Sequence, residues 1–419
     1  MEPRPPPASS YRALFAIPGV RSLAVTMQLA RLGGAMWNLT LILFVLQQFR
    51  SPVLAGLTTF VAWVPGLLVS PLGGALIDRF GRVRLIAFDM GVAVLTVLAI
   101  LALSGPGRLT PSGLLLLVGI SSITGTLSRT GTRSLIPMVV PRSLWERGNA
   151  LDATTSNVAL IAGPALAGML FASVGGLGTM VVLGGIWLAA GLLVISVRDA
   201  AVPAEGGRGS VLLEALEGLR YTVRNPVLRG LAVIMPLTNA GDGIFQLALP
   251  VLFRSSPYGG SAVVGALWSV FGMAAVVGAL LGGRMATQGR ERRIILVTLL
   301  LGATGYYVVA AAPLAGLALL LAALGLSLTG VVVGLHDIAM FSFRQRAIDP
   351  AWLSRAMSIS MSVNALGFPL GTALAGPVVH LSLTAAMLLG ASLVLLAALL
   401  SPLLLPGPAV PHSSAQPSQ

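Results

Sequence analysis

The sequence predicts an all-α polytopic membrane protein, with twelve transmembrane helices in two pseudo-symmetric six-helix bundles. Three observations predict it. Of 419 residues, 56% are hydrophobic and 9% charged, with a mean hydropathy of +0.91. A water-facing exterior of this size cannot cover so much apolar surface. The apolar residues fall into runs of about 20 or more, the length that crosses ~30 Å of hydrocarbon. The runs also repeat: an offset of 208 residues carries GPALAG (163–168) onto GTALAG (371–376) and PGVRSLAV (18–25) onto PVLRGLAV (226–233). Duplicated halves of this kind place a cavity between two bundles at mid-membrane.

A segment at 1–19 comes first, and it lacks the apolar stretch and small-residue cleavage site of a signal peptide. The N-terminal bundle, 20–197, holds spans at 20–47, 53–77, 84–104, 112–140, 150–173 and 177–197. The longest loop, 198–226, divides the bundles. Within it Leu212, Leu216 and Leu219 share one helical face, with Glu214, Glu217 and Arg220 elsewhere, which predicts an amphipathic helix lying on the membrane surface. The C-terminal bundle, 227–404, holds spans at 227–253, 261–284, 293–312, 314–343, 353–380 and 382–404, the last two separated by a tight turn between His380 and Ser382. The tail, 405–419, is polar and rich in Pro and Ser, and is expected to be disordered.

Alternate loops differ sharply in charge. One set carries arginines throughout, from Arg4 and Arg12 through Arg142 and Arg147 to Arg344, Arg346 and Arg355; the other has only Arg50, Arg108 and Arg254. The positive-inside rule then puts both termini, the inter-bundle loop and the tail in the cytoplasm. The formal net charge of +13 is thus a topology signal, and nucleic acid is not an expected partner.

Composition excludes much else. Cysteine is absent and the three histidines, His336, His380 and His412, are scattered, so no metal site is expected. The chain has no lysine, hence no phosphate-binding loop of an ATP-driven pump. No nucleophile–histidine–acid set suggests an enzyme, and no cofactor is implied.

In an otherwise oily chain, GGALIDRFGRVRLI (73–86) crowds charges directly after a span. The pattern Gly74-x3-Asp78-Arg79-x-Gly81-Arg82-x-Arg84 resembles the signature loop of the major facilitator superfamily, and 282–292 resembles a degenerate copy with Ala286 in place of Asp78. The segment 136–170, IPMVVPRSLWERGNALDATTSNVALIAGPALAGML, is similar to the drug- and siderophore-exporter branch, macrolide-efflux-like and enterobactin-exporter-like. This resemblance implies that superfamily's fold, a monomeric transporter working by alternating access, and a cytoplasmic latch joining the halves when the cavity faces outward. Gly74 would let a neighbouring helix approach, and Asp78 would meet a helix N-terminus or an arginine. Gly81 would turn the chain, and Arg82 and Arg84 would anchor it to headgroups; the bland alternative is that these arginines only enforce topology. Gly163-Pro164, followed by Gly168, resembles the bend in the fifth helix of family antiporters, with simple close packing as the alternative.

Four ionisable residues lie deep in spans, where each costs about 2.5–3.5 kcal/mol on insertion scales and so needs a cavity or a partner. Arg31 is in span one and Asp242 in span seven, three residues past the repeat equivalent of Arg31; Arg129 in span four maps directly onto Asp337 in span ten. The resemblance implies that these four spans line the cavity. The expectation is that Arg31 meets Asp242, the proton carrier, and that Arg129 and Asp337 form a gate-like pair; static pairing or snorkelling is the alternative. Met36, Trp37, Asn38, Asn239, Phe245 and Gln246 surround the first pair with the aromatic, thioether and amide groups that suit bulky amphipathic ligands.

The functional expectation is a secondary exporter of hydrophobic or amphipathic molecules in a bacterial inner membrane, coupled to protons and surrounded by lipid. The alternative is an anion-selective facilitator without proton coupling, because many family antiporters carry an acid where this chain has Arg31. A membrane sensor or scaffold would be expected to carry a substantial soluble domain, which this sequence lacks.

Overall fold

A computed structural model describes residues 11–105, 107–141, 144–197, 211–254, 260–285, 287–314, 317–349 and 352–406. Within helices, the side chains at 71–75, 78, 130, 133–134, 136–138, 146, 211–216 and 353–355 fall outside the description. Several sequence expectations therefore lie outside the described residues: segments 1–10, 198–210 and 407–419, the side chain of Asp78, the surroundings of Gly74, and Leu212 and Leu216 of the amphipathic face.

Thirteen α-helices make up the described chain, and it contains no strand. They are α1 Tyr11–Ala16, α2 Val20–Gln48, α3 Pro52–Phe80, α4 Arg82–Leu103, α5 Pro111–Val139, α6 Trp145–Ile195, α7 Val211–Arg224, α8 Pro226–Leu252, α9 Gly260–Gly282, α10 Glu291–Ala310, α11 Ala318–Ala347, α12 Leu353–Leu381 and α13 Leu383–Leu404. Ten helices are long and apolar enough to cross a membrane. One of these stretches, Arg147–Ile195, has 49 residues, more than two crossings need. It leaves helical geometry at Gly175 (φ 72°, ψ 179°), a conformation that suits glycine, so α6 supplies the two spans expected at 150–173 and 177–197. Polar Asn239, Asp242 and Gln246 thread α8, which lowers its apolarity, yet its 27 residues are also long enough to cross. Reading α6 as two crossings and adding α8 brings the ten to twelve.

Local chemistry sets the helix ends. Ser51 and Asn225 cap α3 and α8 with side-chain oxygens, each followed by a proline at the first helical position. Ser382 caps α13 by accepting from the Ala385 backbone N–H, which makes the tight turn expected there. Gly81, at φ 88°, ends α3 and begins α4, as the signature loop requires. One expectation shifts: the span placed at 314–343 begins at Ala318, because Ala312–Leu314 forms a 3₁₀ turn.

The two halves meet along two seams. In one, Val53 and Gly56 of α3 abut Gly376 and Thr372 of α12; a Cβ on Gly56 would lie 2.2 Å from the Thr372 carbonyl oxygen. In the other, Gly168 of α6 abuts Ser261 and Gly265 of α9, and the Ser269 hydroxyl donates to the Ile161 carbonyl (2.6 Å). The 208-residue offset carries Gly168 onto Gly376 and Val53 onto Ser261, so one contact is the other's repeat image. Both seams lie toward the ends of α3 and α12 marked by Pro52 and Leu381. Toward the arginine-bearing end, Arg129 of α5 and Asp337 of α11 are exposed.

Candidate functional site

Four helices carry the ionisable residues: α2 and α5 from the first half, α8 and α11 from the second. On α2, the Arg31 guanidinium donates to the Asp152 carboxylate, the Asp152 carbonyl and the Thr155 hydroxyl of α6. One turn and a half further on, Met36 is fully buried and Trp37 meets Trp187 edge to face at 5.5 Å. Asn38 accepts from the Trp63 indole N–H (3.3 Å). The Arg129 guanidinium lies over the Trp63 ring at 4.6 Å, while the same indole tilts against Phe368 of the second half at 5.7 Å. Trp63 therefore links an exposed cation to the opposite bundle, with a cation–π contact of about 0.5–2 kcal/mol. Beside Arg129, Ser128 donates to the Asp89 carboxylate.

In the second half, Asp242 accepts a hydrogen bond from the Tyr306 hydroxyl (2.5 Å), and Tyr306 stacks on buried Phe245 at 4.2 Å. Asn239 donates to the Asn364 carbonyl (2.7 Å). Gln246 is half-buried on the same helix. His336 is buried between the Thr298 hydroxyl (3.0 Å) and the Met235 sulfur (3.5 Å). Asp337, next in sequence, is exposed with Asp242 and Arg344 as its charged neighbours. Arg344 is fully buried; its Nη2 donates to the Asn364 side-chain oxygen (2.5 Å), while its Nε and Nη1 have no protein partner among the described residues.

Two expectations are corrected. Arg31 does not meet Asp242: it is held by Asp152 and Thr155 within its own half, and Asp242 is held by Tyr306 within the other. Nor do Arg129 and Asp337 pair: Arg129 lies on Trp63, and Arg344 supplies the positive charge near Asp337. Repeat-related positions are images across the pseudo-two-fold axis. They touch only when both lie close to that axis, and side chains can find nearer partners on neighbouring helices. Asp152, Thr155, Trp63, Tyr306 and Arg344 were missed as functional residues. Asp152 lies at the start of an expected span, where a carboxylate reads as boundary charge.

Among the gating candidates, Gly163 packs against α2, where a Cβ would lie 2.5 Å from that of Ala35, and the Pro164 carbonyl faces Gly265 of α9. The pair thus stands where α2, α6 and the second half converge, which suits both packing and coupling. Arg79 lies over the neighbouring Phe80 ring at 5.4 Å, and Arg82 opens α4 directly after Gly81.

The ion pair is testable. Arg31→Ala takes the guanidinium away from the partly buried Asp152 carboxylate, a charge-assisted contact whose loss costs about 1–3 kcal/mol. We expect a fall in the melting temperature of the purified protein, largely recovered in Arg31→Ala/Asp152→Ala. Additive losses in that cycle would mean that the two charges are not coupled.

Comparison with known proteins agrees with this architecture. The chain is 40% identical to an uncharacterized MFS-type transporter, y4rN, of Sinorhizobium fredii, over 93% of this chain and 96% of that one. It is 26% identical to the multidrug efflux pump Tap of Mycolicibacterium fortuitum (82% of this chain, 86% of Tap). It is 24% identical to the enterobactin exporter EntS of Citrobacter koseri (85% and 80%). A family model described as Major Facilitator Superfamily matches residues 23–352. With twelve crossings, a repeated seam and charged groups on facing helices, the chain belongs to the major facilitator superfamily and is a multi-pass membrane transporter.

Proposed function

We propose that the protein exports hydrophobic or amphipathic small molecules from a bacterial cell by alternating access, in exchange for protons. Asp242 carries this reading: it is a carboxylate in the middle of a membrane-crossing helix, bonded among the described residues only through the Tyr306 hydroxyl and close to a second carboxylate, Asp337. Asp242, Asp337 and Arg344 together sum to one negative charge, so one proton can neutralise the group without breaking an ion pair. Intramembrane acids of this kind serve proton relays. Half-buried Trp37, Asn38, Asn239 and Gln246 supply aromatic and amide groups that suit an amphipathic cargo, whereas Met36 and Phe245 are fully buried and are packing residues, not the cargo contacts the sequence suggested. The names of Tap and EntS support export. With the arginine-bearing loops in the cytoplasm, both termini are cytoplasmic and the seams close the outer end, so the chain is inward-facing. It acts as a monomer.

One observation favours the runner-up, an anion-selective facilitator. Arg129 is exposed on the face of Trp63 with the Asp89 carboxylate as a charged neighbour, an aromatic-backed cation that an organic anion could meet, whereas Arg31 is bonded directly to Asp152. The deciding experiment adds dyes, macrolides and a catecholate siderophore to weakly buffered purified protein with a pH indicator. Proton release on ligand addition is expected. Binding without release would end the antiport reading and leave the facilitator.

A further inference from the structure

We infer that the outer surface of α10 holds an anionic phospholipid. A groove of about 620 Å³ runs along one face of this helix, formed by Ile294, Val297, Thr298 and Leu301 with Val332 and Leu335 of α11, and Arg290 and Arg293 stand at its mouth. Val297 and Leu301 are more than two-fifths exposed on α10, which packs against α11 and α13 of its own half, so the groove faces outward to lipid. Its one polar lining group, the Thr298 hydroxyl, is already engaged by His336 and the Ile294 carbonyl. The remaining wall is therefore apolar.

The mouth is cationic for a structural reason. Around it, Arg346 pairs with Glu291 and Thr287, and Arg292 donates to the Pro402 carbonyl. Arg290 and Arg293 are exposed, and their side chains have no protein partner among the described residues. The sequence puts Ala286 at the place taken by Asp78 in the first copy of this loop, and the second copy's own acid, Glu291, is taken by Arg346, so it does not neutralise Arg290 and Arg293. From Arg290 to Leu301 the helix rises about 16 Å, close to half of the ~30 Å hydrocarbon thickness. A headgroup phosphate held by the two arginines would thus lay its acyl chain along the groove to the middle of the bilayer. Charge and depth together select a lipid of that leaflet with a net negative headgroup.

The test uses the full chain in nanodiscs of equimolar phosphatidylglycerol and phosphatidylcholine with identical acyl chains, and native mass spectrometry of the released protein. Wild type is expected to retain phosphatidylglycerol in preference to phosphatidylcholine. Arg290→Ala/Arg293→Ala should lower that retention roughly thirtyfold, the loss of two surface arginines. Arg290→Lys/Arg293→Lys should keep most of it and controls for folding. Val297→Trp, which fills the groove and leaves both arginines, should also lower it. Equal retention of the two lipids, or phosphatidylglycerol binding unchanged in the alanine variant, would overturn the site. Binding unchanged in Val297→Trp would overturn the groove as its location.

Discussion

Asp242→Asn should abolish proton-driven accumulation of cargo while leaving downhill exchange intact. The substitution keeps the volume, and the new amide oxygen can still accept from the Tyr306 hydroxyl, so the stack of Tyr306 on Phe245 survives. What is lost is the ability to take and release a proton at this position. A step that needs only cargo on both sides, such as counterflow in reconstituted liposomes, does not draw on it. Uphill transport driven by an imposed pH gradient does, and should fall to the level of empty liposomes. Tyr306→Phe offers a graded comparison: it keeps the ring stack but removes one hydrogen bond to a charged group, worth about 1.5–3 kcal/mol. It should slow gradient-driven transport without abolishing it. Gradient-driven transport that persists in Asp242→Asn would move the coupling site to Asp337, or remove proton coupling altogether.

The division between what the sequence reveals and what it conceals follows from the physics of each feature. Hydropathy reads the crossings because lipid demands a continuous apolar run, and the 208-residue offset reads the seams because Gly168 and Gly376 do the same packing task in each half. Even the break of α6 at Gly175 falls between two expected spans. Pairing of charges is another matter. Arg31 and Asp242 occupy facing helices, but which way each side chain turns depends on helix rotation and on competitors nearby. Asp152 and Thr155 win Arg31 because α2 and α6 pack directly, with Gly33 of α2 beneath Trp187 and Gly163 against Ala35. Tyr306 had no visible signal: one tyrosine in an apolar span says nothing of its hydroxyl until its neighbour is known. Arg344 looked like loop charge because it lies in the last turn of α11, yet it is fully buried.

Glycine substitutions should separate contacts that every state needs from contacts that only one state uses. Gly278 of α9 lies against α11 within the second half; a Cβ there would come 1.9 Å from the Val331 carbonyl oxygen. Reciprocally, a Cβ on Gly334 would lie 2.1 Å from the Ala275 carbonyl oxygen. Neither obstacle is a flexible side-chain tip, so Gly278→Val must push two backbones apart in any conformation. We expect low yield and early unfolding. Gly265 is equally crowded, 2.4 Å from the Pro164 carbonyl oxygen, but that carbonyl belongs to the other half. Gly265→Val can therefore relieve its clash by parting the seam. Overpacking costs of about 1–3 kcal/mol, applied to the seam-closed state alone, shift the equilibrium about 5- to 150-fold toward the state in which this end is open. The chain has no cysteine, so spin labels at Arg50→Cys and Leu381→Cys would report only the α3–α12 side of this end. In the Gly265→Val background their distance distribution should move to longer values, with folding retained. An unchanged distribution would mean that the two halves do not part as rigid bodies at this end, because a wedge in the α6–α9 seam would have failed to open its repeat image.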